Sequence, residues 1–508
     1  MKADRIEVSP FAFQDITYCE IEKAVNIHGS AKVKGYIAAE KEQEYLMSAC
    51  RQTEVTITAA DEDGSVKPLY CGILEELGIR HENGVCMMEI TIVPYTYLLD
   101  VNPVRRSFQI PSMTYQEVFN IVLGGYSGGS ALMNTGASSA IGEPIVQYQE
   151  TDWEFCLRLA SHFQTVVVPS YVTSGSKLYV GLSGHGKAAR ISPVCYRAKK
   201  SVSEYLYKEQ NQVDGIAEND SLWYIVEDQE LYEIGEEVEF QGRQYCVSRV
   251  ESKLDGHQLW NTYYLCTLAG LKVPRQYNER IIGASLDGKI TGVQADVVRV
   301  SLSIDAKSGE GKWFSFSTVY SSPDGSGWYC MPEPGDEIRL YFPTEKEKHA
   351  YVISAVHLPV EEETPAPSSG TASSSGGGSF GGGIGSPAMA GGGGKAAAGA
   401  GKANQCKRSD PNHKTLEAPG GKIVDLHPGG IIMDSGNGMR VVLDDAAGIT
   451  ITSPSNVTIK SDALIEITSL DGKVELIGSE GVELCQNDSK IEVASKNVVI
   501  CGANSKVQ

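Results

Sequence analysis

The sequence lacks the segments that mark secreted and membrane-spanning proteins. No window approaches the roughly eighteen consecutive apolar residues that a membrane-spanning helix needs. The opening MKADRIEVSP contains no apolar stretch of the kind that a signal peptide requires. No C-x-x-C pair occurs among the 12 cysteines, so their spacing argues against a zinc ribbon. We therefore expect a cytoplasmic protein whose thiols are reduced.

Positive charge is also scarce. The chain has 44 Lys and Arg residues against 64 Asp and Glu residues, which gives a formal net charge of −20. A protein with this balance lacks the basic surface that binds nucleic acid or anionic lipid through charge, so we expect no nucleic-acid partner. At 508 residues, of which 41% are hydrophobic, the chain is long enough for about three or four globular domains.

Motifs for catalysis and for metal binding are weak where they occur. Residues 125–129 fit G-x-S-x-G, but a helical pattern precedes the serine where a hydrolase requires a strand. Residues 391–395 resemble part of a phosphate loop, but Ala396 stands where Ser or Thr is needed. The closest histidine pairs, such as His349 and His357, lack H-x-x-x-H spacing. We predict no catalytic, cofactor-binding or metal-binding residue, and no cofactor.

Strand patterns and two helix starts dominate the first 270 residues. Alternating apolar residues predict strands before residue 100, including one long strand over 85–100, and again over 177–268. Two capping boxes, at Thr114 with Glu117 and at Thr151 with Glu154, each precede an apolar stripe at helical spacing. They predict two short amphipathic helices between the strand regions. Residues 283–357 then contain five strand-like runs, which suit a small barrel of the OB type.

The composition changes abruptly at residues 361–403, which read EEETPAPSSGTASSSGGGSFGGGIGSPAMAGGGGKAAAGAGKA. Such a Gly, Ser, Ala and Pro sequence cannot bury a core, so we interpret it as a linker. It separates a long N-terminal part from a tail of about one hundred residues.

The tail repeats a pair of apolar residues about every eight positions. The pairs begin at residues 441, 449, 457, 465, 474, 482, 491 and 498, and polar or turn residues lie between them. Each repeat predicts one short strand with two apolar side chains on one face. Eight residues are too few for the coil of a single-chain β-helix, so these faces need partners. Burial stabilises each aliphatic side chain by roughly 1.5–3 kcal/mol, which favours three chains wound around a shared axis. A sandwich of short strands is the alternative, but its turns rarely keep such a regular spacing.

Four stretches, in chain order, carry a resemblance to a known family. They are VQYQETDWEFCLRL at 146–159, GW at 327–328 with MPEPGDEI at 331–338, VISAVH at 352–357, and LDDAAGI at 443–449. Together they resemble the VgrG spike proteins of contractile injection machines and their phage counterparts, the late control D type hub-and-spike proteins. Some members carry a lysozyme or a His-rich metal-binding tip. The linker here is too short for the former, and the tail ends without His.

The resemblance implies a mainly β fold with barrel-like hub domains and small helices, an OB-fold barrel and an intertwined three-chain β-helix needle. We predict the following domain boundaries: hub barrel 1 at 1–102, a helical insertion at 103–176, hub barrel 2 at 177–275, the OB fold at 276–358, the linker at 359–404, and the spike at 405–508.

The resemblance also implies a function without catalysis. The protein would be a homotrimeric spike and hub that joins the inner tube to a membrane-puncturing needle in a phage tail-like particle, an extracellular injector or a type VI secretion system. Its partners would be the inner tube protein, baseplate proteins and a tip-capping (PAAR-like) protein or cargo effector, with transient contact with the target membrane. It would be cytoplasmic during assembly and then part of the particle. The alternative is a tailspike or adhesin that degrades polysaccharide or peptidoglycan.

Overall fold

The computed structural model describes residues 5–60, 65–182, 189–193, 195–256, 258–295, 297–306, 311–317, 331–356, 414–418, 421–486, 489–494 and 497–502. The predicted linker and the GW pair of the barrel motif lie outside these residues. The chain divides into two units, Met1–Ser368 and Ser369–Gln508, which are considered separately. Among the described residues, no helix is both long and apolar enough to cross a membrane.

The N-terminal unit is mainly β with four short α-helices in its described residues. The helices are α1 Glu42–Ser48, α2 Tyr115–Leu123, α3 Asp152–Ser161 and α4 Val202–Gln210. Its strands are β1 Arg5–Ser9, β2 Asp15–Ala24, β3 Ser30–Ile37, β4 Glu54–Ala60, β5 Val66–Glu82, β6 Val85–Val93, β7 Pro103–Phe108, β8 Ser130–Met133, β9 Ile145–Thr151, β10 Val167–Pro169, β11 Lys177–Val180, β12 Ala189–Arg190, β13 Tyr196–Lys200, β14 Leu222–Asp228, β15 Glu237–Phe240, β16 Arg243–Asp255, β17 Gln258–Cys266, β18 Ser285–Gln294, β19 Val297–Leu302, β20 Trp313–Ser315, β21 Glu337–Tyr341 and β22 Tyr351–Val356.

One large sheet contains strands from both predicted hub barrels. Its order is β1-β4-β5-β6-β3-β2-β16-β17-β14-β13, and β15 joins it at β16. Strands β2 and β16 are antiparallel, with Ala24 opposite Arg249 and Glu20 opposite Lys253. Alternate residues of β3 are buried, as the sequence pattern predicts. One core forms around β3–β6 and a second around β14–β17, so two packed regions share one continuous sheet.

Two sequence-based assignments within this unit were wrong in detail. The strand predicted over 85–100 ends at Val93, because Pro94 has no backbone N–H for the ladder, and a 3₁₀ helix follows at Tyr95–Asp100. Helix α4 lies in a region that the pattern assigned to strands. The structure also places β11 beside β8 and β10 in a separate three-stranded sheet of the insertion.

Both predicted capping boxes are present. Thr114 and Thr151 each accept a backbone hydrogen bond from the third residue of α2 and α3, and the glutamate there bonds back to the capping residue. The apolar stripes of the two helices are buried in one core with the strands of the insertion. Local sequence therefore fixes where these helices begin, and their apolar faces fix how they pack.

The strands β18 to β22 form a five-stranded antiparallel sheet in the order β20-β19-β18-β21-β22. A parallel bridge between Phe316 and Val352 brings the two outer strands together, and the Ser317 amide donates to the Val352 carbonyl at 2.7 Å. The sheet therefore closes on itself around a core that includes Ile290, Val298 and Leu340.

The C-terminal unit contains antiparallel sheets formed by neighbouring strands. The strands are β23 Lys414–Ala418, β24 Lys422–His427, β25 Gly430–Asp434, β26 Arg440–Asp444, β27 Gly448–Thr452, β28 Val482–Gln486, β29 Ser489–Ala494 and β30 Asn497–Cys501. Residues 453–481 carry no assigned strand. These strands pair with their neighbours in the same chain, whereas the repeat pattern predicts pairing between chains.

The apolar pairs of the tail are exposed in the single chain. Ile449 is 72% exposed and Ile467 is 66% exposed, values that are typical of polar surface residues. Other members of the repeat with more than half of their surface exposed are Ile451, Val457, Ile459, Leu476, Leu484, Val498 and Ile500. The single chain therefore does not bury the faces that the repeat pattern predicts to be apolar.

Candidate functional site

The first of the stretches that resemble the family forms a joint between the insertion and the closed five-stranded sheet. The segment consists of β9 and α3, and we call it the β9–α3 joint. Gln149 adopts a left-handed conformation with φ of 52°, where the pairing of β7 with β9 shifts by one residue. This bulge lies between Tyr148 and Glu150, two residues before the capping residue Thr151.

Asp152, the first residue of α3, is fully buried and is bound on several sides. Arg106 of β7 donates from both terminal nitrogens to its two carboxylate oxygens, at 2.8 and 3.1 Å. Tyr126 donates its hydroxyl at 2.7 Å, and Gln147 donates from Nε2 at 2.8 Å. A buried carboxylate is stable only with such partners, so Asp152 ties α3 to β7, to β9 and to the loop after α2.

Arg158, in the last turn of α3, is the second buried charged residue of the joint. It donates from Nε and Nη2 to the two oxygens of Glu150 at 2.8 and 2.9 Å, and from Nη2 to the Val146 carbonyl at 2.8 Å. Its remaining nitrogen, Nη1, donates to Glu347 at 3.0 Å. Glu347 begins the short 3₁₀ helix that precedes β22. One guanidinium therefore connects the insertion with the closed sheet.

Two further contacts, one half-exposed and one through the buried Asn278, continue the joint towards β18. Arg280 donates from both terminal nitrogens to Glu154 at 2.7 and 2.8 Å, and Asn278 donates from Nδ2 to the Tyr148 carbonyl at 2.8 Å. Arg280 and Asn278 belong to the segment that enters β18. The β9–α3 joint therefore contacts the closed sheet at two places. Asn278 and Arg280 bind it just before β18, and Glu347 binds it just before β22.

Burial shapes the protonation of these groups. Burial raises the pKa of Glu150, while the adjacent Arg158 opposes that rise. Burial, together with the nearby Arg275 and Arg158, lowers the pKa of His162 to about 3. His162 follows α3, and its Nδ1 lies 2.8 Å from the Tyr115 hydroxyl. At neutral pH the joint therefore contains a neutral imidazole and a guanidinium that donates from all three of its nitrogens.

The weak sequence motifs are not assembled into a reactive site by the described residues. Ser127 lies in the turn after α2, so a helix precedes it in place of the strand that a nucleophile elbow requires. The Asp444 carboxylate accepts hydrogen bonds from the amides of Ala446 and Ala447, as in an ordinary turn. Residues 391–395 lie outside the described residues.

Sequence reasoning identified the β9–α3 joint as a motif but did not identify its partners. Arg106 contacts Asp152, and Glu347 contacts Arg158, although both lie far from α3 in the chain. No sequence pattern at either position predicted these contacts. The available signal was the set of polar residues, Gln147, Asp152 and Arg158, on elements with strong apolar patterns. Polar residues at such buried positions require buried partners.

Residues 36–204 match a protein-family model described as phage tail baseplate hub (GPD). The c3393 protein of E. coli, described as a type VI secretion component with structural similarity to bacteriophage tail proteins, matches with a TM-score of 0.50 and 13% identity, over 68% of this chain and 99% of that one. The lidded Francisella PdpA-VgrG complex matches with a TM-score of 0.51 and 9% identity, over 89% and 81%. The half-lidded form of that complex matches with a TM-score of 0.50 and 10% identity, over 88% of each chain. The comparison with curated proteins gave no match.

The shared sheet, the capped helices and the β9–α3 joint form a β-rich scaffold. Residues 36–204 of this scaffold match the baseplate hub model, and the E. coli and Francisella structures share its fold. These matches confirm the resemblance to VgrG and phage baseplate hub proteins that the sequence shows. The chain is a structural hub protein of a contractile injection system.

Proposed function

We propose that three copies of this chain form the hub and spike at the tip of the machine, with the tails wound into one needle. The observation that carries this proposal is the exposure of the repeated apolar pairs, such as Ile449 and Ile467. Surfaces of this kind are stable in water only when a partner covers them. Two further copies supply the same repeat in register, so each chain covers the apolar faces of the others.

The closed sheet of β18 to β22 is the proposed base of the needle. Its strand order and the parallel contact between its outer strands support an OB-type barrel. Sheath contraction would load the hub, and the β9–α3 joint would pass that load to the barrel through Arg158 and Glu347. The joint suits this task because its charged groups are buried and paired, so they resist displacement.

Partners follow from this placement. Two packed regions on one sheet in each of three copies would present six similar positions to a six-fold inner tube. The other end of the needle would take a tip-capping protein or a cargo effector, and it would meet the target membrane only during injection. The protein would assemble in the cytoplasm and leave it within the particle.

A polysaccharide- or peptidoglycan-degrading tailspike is the alternative function. Such an enzyme needs free carboxyl groups in a cleft. In the part of the chain that the structure describes, the buried carboxylates of the joint, Glu150 and Asp152, are already bound by arginines. Mixing the purified protein with cell walls should therefore leave their turbidity unchanged.

The oligomeric state tests the main proposal. The mass of the full-length protein in native buffer should correspond to three chains, and dilution through the micromolar range should not change it. A mass of one chain at every concentration would overturn the proposed needle, while the family assignment would stand.

A further inference from the structure

A histidine, a cysteine and a glutamate converge at the tip of the β5–β6 hairpin, away from the β9–α3 joint. Among the described residues, Glu42, His81 and Cys86 form a group whose potential ligand atoms all lie within 4.8 Å of one another. Glu42 is the first residue of α1, His81 lies near the end of β5, and Cys86 lies near the start of β6. The joint and its proposed function use none of these residues.

The three atoms are spaced like ligands around one metal ion. His81 Nδ1 lies 3.1 Å from Glu42 Oε2 and 3.4 Å from Cys86 Sγ, and Sγ lies 3.6 Å from the same glutamate oxygen. Zinc binds sulfur at about 2.3 Å and nitrogen or oxygen at about 2.0–2.2 Å, so tetrahedral ligands lie about 3.3–3.6 Å apart. The observed triangle agrees with this geometry to about 0.3 Å.

The hairpin turn explains why two of these residues meet. Asn83 and Gly84 have φ values of 50° and 79°, as a two-residue type I′ turn requires. The turn pairs Glu82 with Val85 and therefore His81 with Cys86, directly across the two strands. Opposed residues project on the same face of the hairpin, where α1 supplies Glu42. The ligand set is therefore built on a fixed register and one helix end.

We propose that Glu42, His81 and Cys86 bind a divalent transition-metal ion of the zinc type, with the fourth position open to solvent. Cysteine, histidine and carboxylate together are the donor set that zinc favours. The His81 and Glu42 side chains are 45% and 31% exposed, so an ion can reach them from solution. The ion would fasten α1 to the hairpin tip, and the open position could take water or a group from a partner.

A cysteine nucleophile activated by His81 is the competing interpretation of the same cluster. In such a triad, the carboxylate orients one ring nitrogen while the other receives the thiol proton. Here both Glu42 Oε2 and Cys86 Sγ approach the same nitrogen, Nδ1. Both contacts use one nitrogen, so neither of them is the second contact that a triad needs to orient the ring, whereas this convergence matches a shared metal ion.

Titration of the reduced full-length protein with Co²⁺ alone, followed by competition with Zn²⁺, tests the site. We expect one Co²⁺ per chain with a thiolate-to-cobalt charge-transfer band, which Zn²⁺ abolishes. Cys86→Ser should remove the band. Glu42→Gln should weaken Zn²⁺ binding by at least about tenfold, because the loss of a group that only supports a metal ligand already lowers affinity by about that factor. Glu42 lies at the surface, so its variant tests the site even where Cys86→Ser does not fold.

Two variants serve as matched controls. Glu44 lies on the same helix as Glu42, but its carboxylate is paired with Lys41, and Glu44→Gln removes that carboxylate. Cys50→Ser removes an exposed thiol that lies close to Glu42 in the sequence. Both should bind the metal as the unmodified protein does. The absence of a charge-transfer band in the unmodified protein, its persistence in Cys86→Ser, or equal Zn²⁺ affinity in Glu42→Gln and Glu44→Gln would overturn the proposal.

Discussion

Arg158 of α3 donates to Glu347, 189 residues further along the chain, across a distance of 3.0 Å. The Arg158 side chain is only 3% exposed, and the same guanidinium holds Glu150. The contact is therefore a buried link between two regions whose cores are separate. Buried links of this kind are costly to break from one side, because the remaining charge has no water to solvate it.

Replacing Arg158 by Met should therefore strongly destabilise the N-terminal unit. Removal of one partner from a buried ion pair costs about 3–5 kcal/mol, and here Glu150 would be left buried without a cation. The midpoint of urea unfolding, followed by fluorescence, measures this loss. Arg280→Met is the matched control, because its pair with Glu154 is half exposed and should contribute about 1 kcal/mol or less. Equal effects of the two substitutions would contradict the role assigned to Arg158.

The stability of the same unit should depend on pH through His162. Its pKa is about 3 in the folded protein, mainly because of burial, whereas a histidine in an unfolded chain titrates near 6.5. Between these values the unfolded chain binds a proton that the folded protein does not. This contribution is therefore fully present above about pH 6.5 and is lost as the pH falls towards about 3, by up to about 1.4 kcal/mol per pH unit.

His162→Gln should reduce that slope, since glutamine does not titrate. Urea unfolding at several pH values between about 4 and 7 compares the variant with the unmodified protein, and the two curves should converge at the acid end. The exposed His349, which also lies near the joint, provides the control variant His349→Gln. If His349→Gln flattened the curve and His162→Gln did not, the buried neutral imidazole would be the wrong explanation.

The local parts of this fold were predictable from the sequence, and the long-range parts were not. A capping box lies within four residues, so Thr114 and Thr151 identified α2 and α3 correctly. Helix α4 was missed although Ser201 caps it, because none of its residues is buried and no apolar stripe indicates it. Arg158 was recognised within a motif, but its contact with Glu347 depends on how separate regions pack.

The composition of residues 361–403 predicts that proteases cut this segment before they cut either unit. A sequence rich in Gly and Ser offers no apolar core to protect its backbone. Brief digestion with an enzyme of broad specificity, followed by mass analysis of the fragments, should give an early cut between residues 361 and 403. A digest whose first cuts fall elsewhere would indicate that a partner or a neighbouring copy covers this segment.

A charge introduced on the proposed needle axis should prevent assembly. Ile467 is 66% exposed in the single chain but would face two copies of itself in the trimer. Ile467→Asp would then bury three carboxylates together, and desolvation of each unpaired charge costs several kcal/mol. We expect the native mass to fall from three chains to one, while far-ultraviolet circular dichroism shows that the hub remains folded. Thr468→Asp adds the same charge on the opposite face, since neighbouring residues of a strand alternate, and it should remain trimeric. A trimeric Ile467→Asp variant would show that these isoleucines do not lie on the axis.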